Sequence, residues 1–108
     1  MNDALALVYA VYPDRASAQA AAQMAIERHL AACANILAPC TSIYRWEGAA
    51  TQSEEVPVLF KTGTDRREAL IALLAENHDY DIPAIISWDT DVAHAPFARW
   101  VAGETRQD

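Results

Sequence analysis

The sequence predicts an α+β domain with its elements in the order β-α-β-β-α-β-α, and three observations carry that prediction. A nearly all-apolar run opens the chain. An alanine-rich stretch of helical period follows. The pattern then switches to period two over two long segments that face each other across a polar turn. At 108 residues there is material for one domain spanning 1–108, and not for two.

Each element has its own warrant. Residues 4–12 (ALALVYAVY) are apolar without alternation and read as a strand buried on both faces. Pro13-Asp14 ends it, and Asp14 is placed to cap the next helix. Residues 16–30 are rich in alanine, the best helix former, and Ala18, Ala22, Ile26 and Leu30 recur along one stripe that can lie close to a sheet.

From Ala32 to Trp46 the period is two. Ala32, Ala34, Ile36, Cys40, Tyr44 and Trp46 share one face of that strand, and Cys33, Asn35, Leu37, Ile43 and Arg45 the other. Pro39 cannot donate to a ladder, so a bulge or an unpaired edge is expected there. A polar turn over 48–53 leads to a partner strand over 55–62. Asp65 with Glu68 forms a capping-box pattern before a second helix that carries Leu70, Leu73 and Leu74. A fourth strand over 82–88 and a third helix with Phe97, Trp100 and Val101 complete the chain, Gly103 reading as the stop. The order matches the ferredoxin-like split βαβ arrangement, β-α-β-β-α-β, with an added C-terminal helix.

One feature strains a monomer. A straight strand over 32–46 would reach about 45–50 Å at about 3.3 Å per residue, whereas a domain of this size has a radius of gyration of about 13 Å. Part of the hairpin must bend or project. Tyr44 and Trp46 near its tip are costly to leave in water, and an open strand edge invites pairing, so self-association is expected.

Composition excludes some classes. Eight basic and fifteen acidic side chains give a net charge of −7, which phosphate backbones repel, so nucleic acid is not an expected partner. The apolar opening is too short to span a bilayer and has no basic leader, so no membrane insertion is expected and the cytoplasm is the default location. Cys33 and Cys40 stand an odd number of positions apart on one strand and should face opposite sides unless a bulge intervenes, which makes a bridge between them implausible. Glu54 and Glu55 also point to opposite faces and cannot flank one bond as acid and base. No phosphate loop and no nucleophile–base grouping is present, so the chain is not expected to be an enzyme.

Several segments in order, LAACANI, TSIYRWEG, EEVPVLFKT and a His-x-Tyr-x-x-Pro stretch from His78 to Pro83, resemble the divalent-cation tolerance protein CutA family over most of the chain. The resemblance implies a compact homotrimer, similar in assembly to the nitrogen-regulatory PII proteins, whose sheets join edge to edge through the hairpins. It implies a link to tolerance of copper or another divalent cation, bound weakly or at subunit interfaces. Metal ligation in the family is associated with a first-strand Cys and a His pair. This chain has Ala10 and Asn77-His78 at those places, and Asp79 where a Pro is usual.

The candidate metal ligands are therefore Cys33 and His78, each with a second reading: Cys33 as a small buried hydrophobe, His78 as a partner of the helix C-terminus. Cys40 reads as core, and His29 and His94 as surface or helix-end residues. Tyr44, Trp46, Glu47, Glu55, Lys61 and Tyr80 match positions that line the intersubunit clefts of CutA-like trimers. There they form an interfacial network or a pocket for a small anionic ligand or a metal ion. The alternative function is a PII-like signalling trimer that senses a small metabolite in that cleft, although the long loop by which such proteins reach a target is missing. An acylphosphatase would need an anion-binding loop with a positioned Arg, and an RNA-recognition domain would need aromatic-basic strand motifs; neither is present.

Overall fold

The computed structural model describes residues 4–106. Its strands are β1 (Leu5–Tyr12), β2 (Cys33–Ile36), β3 (Cys40–Trp46), β4 (Ala49–Gly63) and β5 (Ile85–Asp89), and its helices are α1 (Arg15–Glu27), α2 (Arg67–Glu76) and α3 (Ala95–Glu104). The strands form one antiparallel sheet in the order β2-β4-β1-β5, with β3 paired to the far half of β4. With β2 and β3 counted as one interrupted strand, this is the ferredoxin-like order plus a C-terminal helix.

The helices α1 and α2 cover one face of the sheet. Val8, Ala10, Tyr12, Val58 and Phe60 point into that layer against Ala18, Ala25, Leu70 and Leu74. The alanines of α1 let the helix axis approach the strands, as their stripe implied. On the other face of β1, Leu7 and Tyr9 are only half-buried, because no helix lies over them. Their sheet neighbours Trp88 and Ile86, directly opposite in β5, are exposed as well. α3 covers the Leu5 end of this face through Ala98 and Val101, so the expectation of a strand buried on both faces holds at Leu5 and is corrected at Leu7 and Tyr9, where the face stays partly open.

Helix ends show where local chemistry overrode pattern. Asp14 caps α1 through a 2.8 Å bond from the Ser17 amide to Oδ1. At the other end His29 adopts a left-handed φ of 58°, and the Leu30 amide reaches back to the Ala25 carbonyl at 3.0 Å. That is a Schellman closure with His in the position usually held by Gly, so the helix stops at Glu27 and not at Leu30. At α2 the capping box is not made: Arg66 is the N-cap residue and gives no side-chain cap. The Asp65 carboxylate instead folds against Gly63, 2.7 Å from where a Cβ there would sit. Gly103 does not stop α3, which runs on to Glu104. The fifth strand starts at Ile85, leaving 82–84 in the preceding loop.

The hairpin differs most from the sequence reading. The turn is two residues, Glu47 and Gly48, with φ of 51° and 82°, the both-positive pattern that suits a twisted hairpin. Trp46 pairs with Ala49, and the ladder continues through Tyr44↔Thr51 and Ser42↔Ser53 to Cys40↔Glu55. Residues 49–53, read as part of a polar turn, are strand; this end of the hairpin projects into solvent. The projection explains the long axis of 47 Å against 26 and 22 Å across, with a radius of gyration of 14.5 Å.

The break at residues 37–39 is the one Pro39 demands. From Ile36↔Val58 to Cys40↔Glu55 the first strand advances four residues while β4 advances three, so one residue is extra. The bulge reverses the parity of β3 relative to β2. Cys33 opposite Lys61 and Cys40 opposite Glu55 therefore share the open face, since Lys61 and Glu55 are six positions apart on β4. Both thiols are free.

Candidate functional site

The projecting hairpin forms one wall of a concavity, contributing Ser42, Tyr44, Trp46 and Glu55; the other is the loop over 79–84, contributing Asp79, Tyr80, Asp81 and Ile82, and Val11 lies between them. The groove encloses about 620 Å³, within the usual range of about 300–1,000 Å³ for small-ligand sites.

Glu55 is the most buried polar group of the groove, at 9% exposed. Its Oε2 accepts a 2.8 Å hydrogen bond from the Tyr80 hydroxyl. The Tyr80 phenol is pushed above its ordinary range, first by burial, then by that bond and by the neighbouring charge of Glu55. Tyr9, on the same open face, is also raised, by burial and then by Cys40 and Glu55. Tyr44 reaches Ser53 across the hairpin at 3.3 Å, and Tyr44 and Trp46 stay about half-exposed.

His78 holds Tyr80 in place. Its Nε2 lies 2.7 Å from the Val11 carbonyl, which can only accept, so that nitrogen carries the proton. Its Nδ1 accepts from the Tyr80 amide at 3.0 Å. The ring stacks on Tyr12 at 4.5 Å and 19°, and tilts against Tyr80 at 4.9 Å. Asp79 is tied to α1 by a 2.9 Å bond from the Ser17 hydroxyl. The loop wall is thus pinned to β1 and to α1.

The sequence candidates divide into groups. Tyr44, Trp46, Glu55 and Tyr80 meet in the groove. Glu47 occupies the hairpin turn, and Lys61 lies at the β2 side of the sheet, where its Nζ donates to Asn35 Oδ1. Cys33 borders a separate, shallower groove between α1 and β2, alongside Gln19, Gln23 and Glu27. His78 lies behind the loop wall with both ring nitrogens engaged. Cys33 and His78 therefore lie in different places, and no group of three or more His, Cys, Asp or Glu converges as a metal cage among the described residues. Asp79 and Asp81, which complete the acidic lining, were not singled out from sequence. Their signal was present in the acidic spacing around Tyr80, but only the loop's fold turns both toward the hairpin.

Comparison with known proteins agrees with the fold and the motifs. Residues 6–104 match the sequence model of the family described as CutA1 divalent ion tolerance protein. A relative from Pyrococcus horikoshii, named divalent-cation tolerance protein CutA, is 36% identical over 101 residues, covering 94% of this chain and 98% of its own. The crystal structure of the divalent ion tolerance protein CutA1 from Ehrlichia chaffeensis superposes with a TM-score of 0.91 at 32% identity, covering 95% of this chain and 96% of that one. A structure from Archaeoglobus fulgidus, described as a periplasmic divalent cation tolerance protein CutA, shares the fold at a TM-score of 0.91 with 24% identity, over 94% of this chain and 99% of its own. The open-faced sheet, the bulged hairpin and the sequence match together make this chain a member of the CutA family of divalent-cation tolerance proteins.

Proposed function

We propose that this CutA-family chain works as a cytoplasmic homotrimer that meets copper or another divalent cation weakly, at surfaces where subunits adjoin. The observation that carries this reading is the pairing of an open sheet face with the absence, among the described residues, of any preformed metal cage. Trp88, Ile86 and the projecting hairpin present apolar surface and unpaired strand edge that a single chain leaves in water. The number of copies, three, follows the family resemblance. Tight binding of a soft divalent ion needs several convergent donors, and one chain offers them only singly: the Cys33 thiol, the exposed Glu47 and Glu54, and the groove carboxylates. His78 serves better as a positioning residue than as a ligand, because Nδ1 already accepts from the Tyr80 amide.

Two free cysteines with no bridge suit a reducing compartment. No helix among the described residues is long and apolar enough to cross a membrane. Cell fractionation settles the compartment, a relative being described as periplasmic. The PII-like alternative, with an anionic metabolite in the cleft, finds no anchor there: Glu55, Asp79 and Asp81 line the groove, and among the described residues no Lys or Arg does.

Sedimentation equilibrium on metal-free protein, with equilibrium dialysis against copper(II), tests the proposal. The expected result is a trimer with or without the ion, and weak uptake that falls in Cys33→Ser. A monomer, or a trimer that takes up no copper, contradicts it.

A further inference from the structure

We infer that α3 is a releasable strap, which swings off the sheet as one unit about a hinge at residues 91–94 while the rest of the domain stays folded, and that the His29 side chain is its latch. The packing of the chain falls into two parts. The main core lies between the sheet and helices α1 and α2. The buried residues of α3, Ala98 and Val101, belong to a separate small cluster with Leu5 on the other face, flanked by Ala32. That is little burial to hold a ten-residue helix, which is too short to persist in water alone. Its N-cap residue, His94, makes no side-chain cap, and Phe97 and Trp100, 5.8 Å apart, lie outside the cluster.

The two ends of the helix are held differently. Thr90 is fastened to the sheet, its amide 3.1 Å from the Leu5 carbonyl, whereas residues 91–94 are exposed and belong to no helix or strand. A short exposed linker absorbs a change of backbone angles without disturbing β5. At the far end His29, in the left-handed position that closes α1, donates from Nδ1 to the Glu104 carbonyl at 3.1 Å. That carbonyl is among the last four of α3, which have no partner within the helix, so the end of one helix is capped from the end of another. Thr105, buried beside Gly63 of β4, seats the same end. Release uncovers Leu5 and Ala32 and joins them to the open stretch at Leu7 and Tyr9, so α3 sets how much apolar sheet the chain presents. The inference uses neither the metal reading nor the hairpin groove.

Native-state hydrogen exchange of the full-length, metal-free protein, followed amide by amide by NMR across low urea concentrations, tests it. Amides 99–104 should exchange as one group, about tenfold or more faster than the β1–β4 ladder. Their exchange should also depend less on urea, because opening the strap exposes less surface than unfolding the domain. His29→Gly keeps the left-handed closure of α1 and deletes the latch, so α3 exchange should accelerate about fivefold, the size of one hydrogen bond. His29→Asn tolerates the same backbone and carries an amide nitrogen in the place of Nδ1, so it should restore the wild-type rate. Exchange of amides 99–104 in step with the ladder, at the same urea dependence, overturns the inference, and that includes the case in which a neighbouring copy clamps α3. An unchanged α3 rate in His29→Gly of native circular dichroism overturns the latch.

Discussion

The Tyr80 hydroxyl donates a 2.8 Å hydrogen bond to Oε2 of Glu55, joining the loop after α2 to the point on β4 where the hairpin leaves the sheet. This contact fixes the width of the groove. It also gives a nine-tenths buried carboxylate its only hydrogen-bond donor among the described residues. Tyr80→Phe keeps the ring and removes the donor. Stability should fall by about 1–3 kcal/mol, the cost of leaving a buried acceptor unsatisfied. Urea unfolding checks it, and a midpoint equal to wild type with an unchanged slope would contradict the assignment.

His78 should act on the same contact from behind. His78→Phe preserves the stack on Tyr12 but leaves the Val11 carbonyl and the Tyr80 amide without their partners. A loss of about 1–3 kcal/mol is expected. Amide exchange at Tyr80 should accelerate in the variant before exchange in the β1–β4 ladder does. Unchanged protection at Tyr80 would show that the ring is not what holds the loop.

The alkaline limb of stability should carry a tyrosine signature. Tyr12 is pushed up to about 12, chiefly by burial and further by the Asp79 charge. The unfolded chain releases that proton near pH 10, so above that pH the folded state holds a proton the unfolded state has lost. Tyr12 therefore supports the fold fully below about pH 10, and its contribution is lost as pH rises through about 12. Tyr80 shifts in the same direction. Thermal melts between pH 9 and about 12 should show a steeper decline in wild type than in Tyr12→Phe.

Two glycine substitutions should have opposite signs. Gly48 has φ of 82° and no heavy atom within 4 Å of a Cβ there, so Gly48→Ala costs backbone strain alone, about 1 kcal/mol. Gly103 lies inside α3 with its Cβ position also open, so Gly103→Ala should stabilise by about 1 kcal/mol. Chemical denaturation of the two variants side by side checks both signs.

Much of this was legible in the sequence. The Ala18–Ala22 stripe, the Asp14 cap, the β-α-β-β-α-β-α order and the interruption at Pro39 all follow from local rules that the fold obeys. Residues 49–53 misled because alternation vanishes when both faces of a strand see water, and the Glu47-Gly48 turn signal was overshadowed by the polar run after it. The shared face of Cys33 and Cys40 was conditional on a bulge, and only the register shows that it carries one extra residue. In the site, Tyr44, Trp46, Glu55 and Tyr80 came from family motifs. The engagement of both His78 nitrogens depends on Val11, 67 residues away, and no sequence pattern encodes such a contact.

Trp46→Asp should break the assembly. The indole lies 48% exposed at the hairpin tip of a single chain, a position that makes sense when another copy covers it. Sedimentation velocity should show the variant shifted to monomer while its circular dichroism stays native.

The most direct test of the central claim is a calorimetric titration of reduced, metal-free protein with copper(II), at a concentration where light scattering has fixed the mass. The account expects a trimer that gives weak heats, persisting in His78→Ala once its fold is confirmed and reduced in Cys33→Ser. A monomer that takes up one ion per chain tightly, and loses it in a folded His78→Ala variant, would contradict it.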